Sequence, residues 1–195
     1  MSSRSDSIHS GCFRQPEQPL PDCHLPEPEA GTIVGSMFRN VQDFLQTWKA
    51  ESQSTLRVFG ALSDGSLSQS VGPGGYTLGS LAGHIIGSIA KIPAHAGLLP
   101  MPAALPELAS VGAIVAAYEH NATQVAEAVT EKWSDAQLGD EIPIFGRTLR
   151  KGVVLAMLIS HQAHHRAQMT VLMRQAGLKV PGVYGPSQSD LAAKV

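Results

Sequence analysis

Cysteine, aromatic side chains and charge are all scarce in this chain. Cys12 and Cys23 are its two cysteines, and both lie outside the segments with core periodicity. The fold therefore needs no disulfide framework, and a reducing compartment suits it. Lysine and arginine nowhere form a block, and the net charge is −2, so the electrostatic footprint of a phosphate-neutralising protein is missing and nucleic acid is not an expected partner. No run of 18 uncharged apolar residues occurs, and the N-terminus has no apolar region of the signal-peptide kind. A cytoplasmic protein with no membrane partner is the expectation.

With 15% charged residues, ten aromatics and 43% hydrophobic content over 195 residues, aliphatic side chains must supply the core. That amount of apolar surface fills one core, in the manner of closely packed helices. Residues 1–36 contribute little to it. Five prolines fall between Pro16 and Pro28, serine is frequent and periodic apolar positions are missing, which reads as a disordered or extended tail. This tail carries five acidic and two basic side chains, leaving the remainder nearly neutral. His9, Cys12, Cys23 and His24 match no common zinc spacing, and the QPEQPLPD between them does not suit a finger. Met37 is a candidate alternative start.

Four helical segments follow. From Phe38 to about Leu62, Val41, Phe44, Leu45, Trp48, Leu56 and Phe59 recur at helical spacing. A glycine- and serine-rich break leads to Thr77, a capping residue for a second helix through Leu78, Leu81, Ile85, Ile89 and Ile92 to Pro93 or slightly beyond. Gly79, Gly83 and Gly87 share one face of that helix, where a neighbouring helix or a ligand is expected to approach. Leu108, Val111, Val115, Tyr118, Ala122, Val125 and Val129 alternate spacings of three and four, the signature of a bundle helix. EIPIFGRTLR then offers a small hairpin or ordered loop around Phe145-Gly146-Arg147, and Pro143 confines it to an edge. A last helix is expected from about Arg150 to Ala176, stopped by Gly177 with Pro181 beyond. The fold class is therefore all-α: a four-helix bundle over residues 37–188, with 189–195 as a C-terminal tail.

The chemistry concentrates in HQAHHRAQ, residues 161–168. His161 and His165 are 40° apart around a helix and about 6 Å apart along it, within reach of one ion. Val154, Leu158, His161, His165 and Leu172 define a seam that should face the bundle interior, where unpaired imidazole nitrogens cost about 1 to 3 kcal/mol each. His84, on the inner stripe of the second helix, supplies a third ligand. Three neutral imidazoles with one open position suit zinc, nickel or another borderline divalent ion. A hydrogen-bonded polar core and a solvated histidine face are the alternatives. His164 points to the side away from His165, so it and Gln168 are candidates for supporting hydrogen bonds instead. His95, beside Pro93, and His120, off the seam, are poorly placed for the ion.

YTLGSLAGHI and, some seventy residues later, HQAHHRAQMTVLMRQAGLKVPGVYGP together resemble the DinB/YfiT-like superfamily of helical bundles with a histidine triad. The likeness covers about residues 37–188. It implies His84, His161 and His165 as metal ligands, the same three reached from helix geometry. Members commonly carry glycine where this chain has Ala167, a position away from the ligands. The resemblance implies thiol-dependent transferase or isomerase chemistry on a low-molecular-weight thiol, or metal-dependent hydrolysis, and does not choose between them.

Either route acts on a small molecule. HQAHH has the histidine spacing of zinc peptidases, but Gln162 occupies the place of their catalytic glutamate, which disfavours peptidase chemistry. No acidic residue nearby in sequence offers a general base, and Tyr76 and His164 are the remaining options. A thiol route depends least on such a base, because metal coordination itself deprotonates sulfur. A non-catalytic bundle with a structural or sensed ion is the rival from another class. Bundles of this type commonly pair through an outer face, so a homodimer is the expected assembly.

Overall fold

A computed structural model describes residues 37–104 and 107–192. The proline-rich tail with Cys12 and Cys23, and residues 193–195, lie outside the described residues. The elements are α1 (Val41–Gly60), α2 (Leu78–His95), α3 (Val111–Lys132), β1 (Glu141–Ile144), β2 (Arg147–Arg150), α4 (Lys151–Gln175) and a short α5 (Gln188–Ala192).

Local chemistry fixes most boundaries. Asn40 caps α1, its side chain accepting the Asp43 N–H at 2.7 Å, so the helix starts three residues after Phe38. Thr77 and Ser80 form a reciprocal capping box at the start of α2. Ser110 accepts the Ala113 N–H, which leaves Leu108 outside α3. Gly97 and Gly177, with φ of 73° and 71°, close α2 and α4 in the same way: Leu98 N–H reaches Pro93 O, and Leu178 N–H reaches Met173 O, both at 2.9 Å. That is the Schellman geometry, and it requires a left-handed residue.

Four long helices enclose one core. α2 packs on α3 and α4, and α1 packs on the same two. Phe44, Trp48 and Phe59 of α1 meet Ile85 and Ile89 of α2, Tyr118 and Val125 of α3, and Val154, Leu158 and Met169 of α4 in a continuous apolar cluster. The Trp48 indole donates to Ala122 O at 2.9 Å, tying α1 to α3. The expected hairpin is present: β1 and β2 pair antiparallel, with Glu141 opposite Arg150 and Ile144 opposite Arg147.

Two details add to the expectations. The segment 189–195, expected as a C-terminal tail, overlaps α5, whose Asp190 carboxylate accepts the N–H groups of Gly182 and Ser187. The glycine face of α2 does not seat a neighbouring helix along its length. The preceding linker approaches Gly79 so closely that a Cβ there would lie 3.2 Å from Leu67 O, while Gly83 and Gly87 border a cavity.

Candidate metal centre

α2 and α4 are direct neighbours, and each brings histidine to their shared edge. His84, His161 and His165 each present one ring nitrogen, and these nitrogens lie within 4.8 Å of one another. The Nε2 atoms of His84 and His161 are 3.0 Å apart. Ring centroids of the three pairs are separated by 4.3 to 5.1 Å. Zinc–nitrogen bonds of about 2.0–2.1 Å place tetrahedral ligand nitrogens roughly 3.3 Å apart. The observed spacing brackets that value, so small side-chain rotations suffice to enclose a first-row divalent ion.

The donor chemistry fits as well. Burial, followed by the nearby His165, holds the His84 and His161 imidazoles below the ordinary histidine value of 6.5, which keeps both neutral with a lone pair to offer. His165 Nδ1 lies 2.7 Å from Gln168 Oε1. An amide oxygen only accepts, so Nδ1 carries the proton and Nε2 is left as the free donor atom. The Ser88 hydroxyl contacts His84 O at 2.7 Å and His161 Nε2 at 3.0 Å. Its one proton serves only one of them. Among the described residues no cysteine, aspartate, glutamate or fourth histidine joins the group.

The centre lies nearer the surface than the seam predicts. His165 is buried, but His84 and His161 are only half-buried, because the α2–α4 edge opens into a cavity of about 590 Å³ instead of closing against a third helix. Tyr76, Ser88, Lys91, His95, Phe145 and Met157 stand around it. The Tyr76 ring is 6.2 Å from His84 and 6.4 Å from His165. His164 is exposed, with its ring centroid 4.8 Å from that of His165. His95 stays out of the cluster but lines the same cavity, and His120 is exposed elsewhere on α3. Sequence reasoning passed over Ser88 and Lys91, although both follow His84 at the i+4 and i+7 spacing that marks one helix face.

Gln162 occupies a different environment from the one its peptidase-like position implies. Its Oε1 accepts the Tyr118 hydroxyl at 2.7 Å and lies 3.3 Å from Thr55 Oγ1, inside the core and on the far side of α4 from the cavity. Beside it, Arg166 is 1% exposed and bonds to Glu51 Oε2 at 2.6 Å, Glu51 O at 3.0 Å, Thr55 Oγ1 at 3.0 Å and the Tyr184 hydroxyl. None of these contacts was evident from residue spacing.

Known proteins agree with this architecture. The model of the DinB family matches residues 37–194. A Bacillus subtilis protein named as uncharacterized, YrdA, is 37% identical over 158 residues, covering 80% of this chain and 95% of its own length. A crystal structure of a DinB-like protein from Bacillus cereus superposes with a TM-score of 0.69 at 41% identity, covering 76% of this chain and all of that one. A second DinB-like structure, YjoA of Bacillus subtilis, is 17% identical with a TM-score of 0.60, covering 72% of this chain and 96% of its own, and shares the fold.

Proposed function

This chain belongs to the DinB family, and on that premise we propose that it is a metal-dependent enzyme acting on a small thiol. His84, His161 and His165 hold one divalent ion, zinc or nickel by the softness of the donor set. The observation that carries the reading is a set of three converging imidazoles, without a fourth protein ligand among the described residues, two of which, His84 and His161, line a cavity of about 590 Å³. An ion held there supplies Lewis acidity, lowering the pKa of a coordinated thiol or water. A structural site would instead call for a closed, four-ligand set.

The surrounding residues favour the thiol over the water. Among the described residues no aspartate or glutamate lines the cavity, so hydrolysis finds no carboxylate base there, whereas a thiol needs no protein base once coordinated. Gln168 orients His165 through the Nδ1 contact, and Tyr76 and Met157 add apolar surface to the cavity wall. The reaction class supported best is transfer of a low-molecular-weight thiol to an electrophile, with water-driven hydrolysis as the alternative outcome.

Elemental analysis of untagged protein, loaded with zinc or nickel and dialysed, should find about one ion per chain. His84→Ala should abolish stable retention. Turnover of a thiol–electrophile pair that disappears with the metal supports the transferase. Retention unaffected by His84→Ala would remove the triad, and a chain that binds metal but loses only melting temperature on chelation, with no activity in the screen, would make the ion structural.

A further inference from the structure

The histidines leave two features of the cavity unexplained. The first is charge. Imidazole ligands bring no negative charge to offset a divalent ion, and among the described residues no carboxylate lines the cavity. Lys91 adds a further positive charge on the same wall, two helical turns and about 10 Å along α2 from His84. It acts on His84 electrostatically, yet among the described residues it pairs with no carboxylate. Lys91 is exposed and is the one lysine, arginine or carboxylate among the described residues that line the cavity, so an anionic group on a bound molecule would meet its counter-charge there.

The second is the turn at Phe145. Phe145 and Gly146 both have positive φ, 51° and 73°, the pattern of a type I′ hairpin turn, which favours Asn-Gly or Gly-Gly. An aromatic residue in the left-handed region is an outlier that turn chemistry does not select. Its side chain is 54% exposed, so core packing does not select it either. The ring instead lies 4.6 Å from that of His95 at the cavity wall, one turn beyond Lys91.

We propose that the cavity takes an elongated carboxylate-bearing thiol: sulfur at the histidines, carboxylate on Lys91, and the intervening chain against Phe145 and His95. The assignment rests on the metal-dependent reading above and specifies its substrate class. Lys91 acts as the specificity residue and Phe145 as an apolar wall.

Cobalt-loaded protein permits a direct test, because sulfur binding produces a charge-transfer absorption that can be titrated and checked by calorimetry. 6-Mercaptohexanoate should bind about tenfold tighter than 6-mercaptohexanamide, the scale of a hydrogen bond to a charged group. Lys91→Met should remove that preference, and Lys49→Met, on α1 outside the cavity, should keep it. Mercaptoacetate, too short to span the distance, should bind Lys91→Met and wild type alike. Phe145→Asn should weaken acid and amide equally while retaining cobalt. Equal affinity for acid and amide, or an acid preference that survives in Lys91→Met because the carboxylate sits on the ion itself, overturns the Lys91 assignment and leaves the metal site standing. Failure to retain cobalt overturns both.

Discussion

Two polar clusters sit on α4 one residue out of step, and they have opposite characters. His161 and His165 face His84 of α2, with His161 also lining the cavity; Gln162 and Arg166, at the same four-residue spacing, face α1 and α3. The second cluster is buried and mutually paired. Arg166, Glu51, Thr55 and Tyr184 exchange hydrogen bonds with one another, Tyr118 donates to Gln162 Oε1, and Arg166 is almost fully enclosed; Gln162 Nε2 alone of this group has no partner among the described residues. The first is open, and its ring nitrogens converge on each other without enough protons to satisfy them. Buried donors matched to buried acceptors mark a cluster that holds the fold, whereas convergent lone pairs beside a cavity mark one awaiting a ligand.

The largest effect expected from breaking the contrast is on the closed side. Glu51→Ala leaves the Arg166 guanidinium buried without its anion, and loss of one partner from a buried pair costs about 3–5 kcal/mol. Urea unfolding should show that loss, while metal stoichiometry of the remaining folded protein stays unchanged. A stability loss below about 1 kcal/mol would place the pair among surface ion pairs in energetic terms and erase the distinction between the clusters.

On the open side the effect moves from stability to affinity. Gln168→Ala removes the acceptor that fixes His165 Nδ1, and loss of such an orienting partner lowers metal affinity by about 10–100-fold. Competition with a chromophoric chelator measures this. Gln168 is exposed, so unfolding of the metal-free variant should remain within about 0.5 kcal/mol of wild type. An unchanged affinity would show that the amide is a bystander.

The same contrast explains what could be read from sequence. The caps at Thr77 and Gly177 depend on residues within one turn, and the histidine pair depends on the spacing of a single helix. His84 was reachable because one more helical stripe had to face the first. The bond from Arg166 to Glu51 spans 115 positions and follows no local period, so only the three-dimensional packing discloses it. Likewise, the half-exposure of His84 and His161 depends on where the hairpin and linker leave α2 uncovered, which helical periodicity does not encode.

Acidity offers a smaller effect, again confined to the open cluster. Folding lowers the His84 and His161 values below 6.5, so between that value and the folded-state values the unfolded chain binds more protons. Stability of the metal-free protein should therefore be complete above about pH 6.5 and decline as pH falls towards the folded-state values. A His84→Gln, His161→Gln double variant should flatten this decline in melting temperature. If the slope persists unchanged, the two imidazoles do not feel the burial and mutual repulsion that their geometry implies.

The smallest effect concerns the turn that borders the cavity. Phe145 at φ 51° gives up part of the roughly 1–2 kcal/mol that a left-handed conformation costs an L-residue. Asparagine tolerates that region and is favoured in a type I′ turn, so Phe145→Asn should stabilise the metal-free protein by a few tenths of a kcal/mol up to about 1 kcal/mol in urea unfolding. A core residue would show the reverse. The sign therefore separates the two roles cleanly: destabilisation would mean that the ring holds the hairpin against the bundle, whereas stabilisation places Phe145 with the histidines, as a residue kept against the preference of its own backbone.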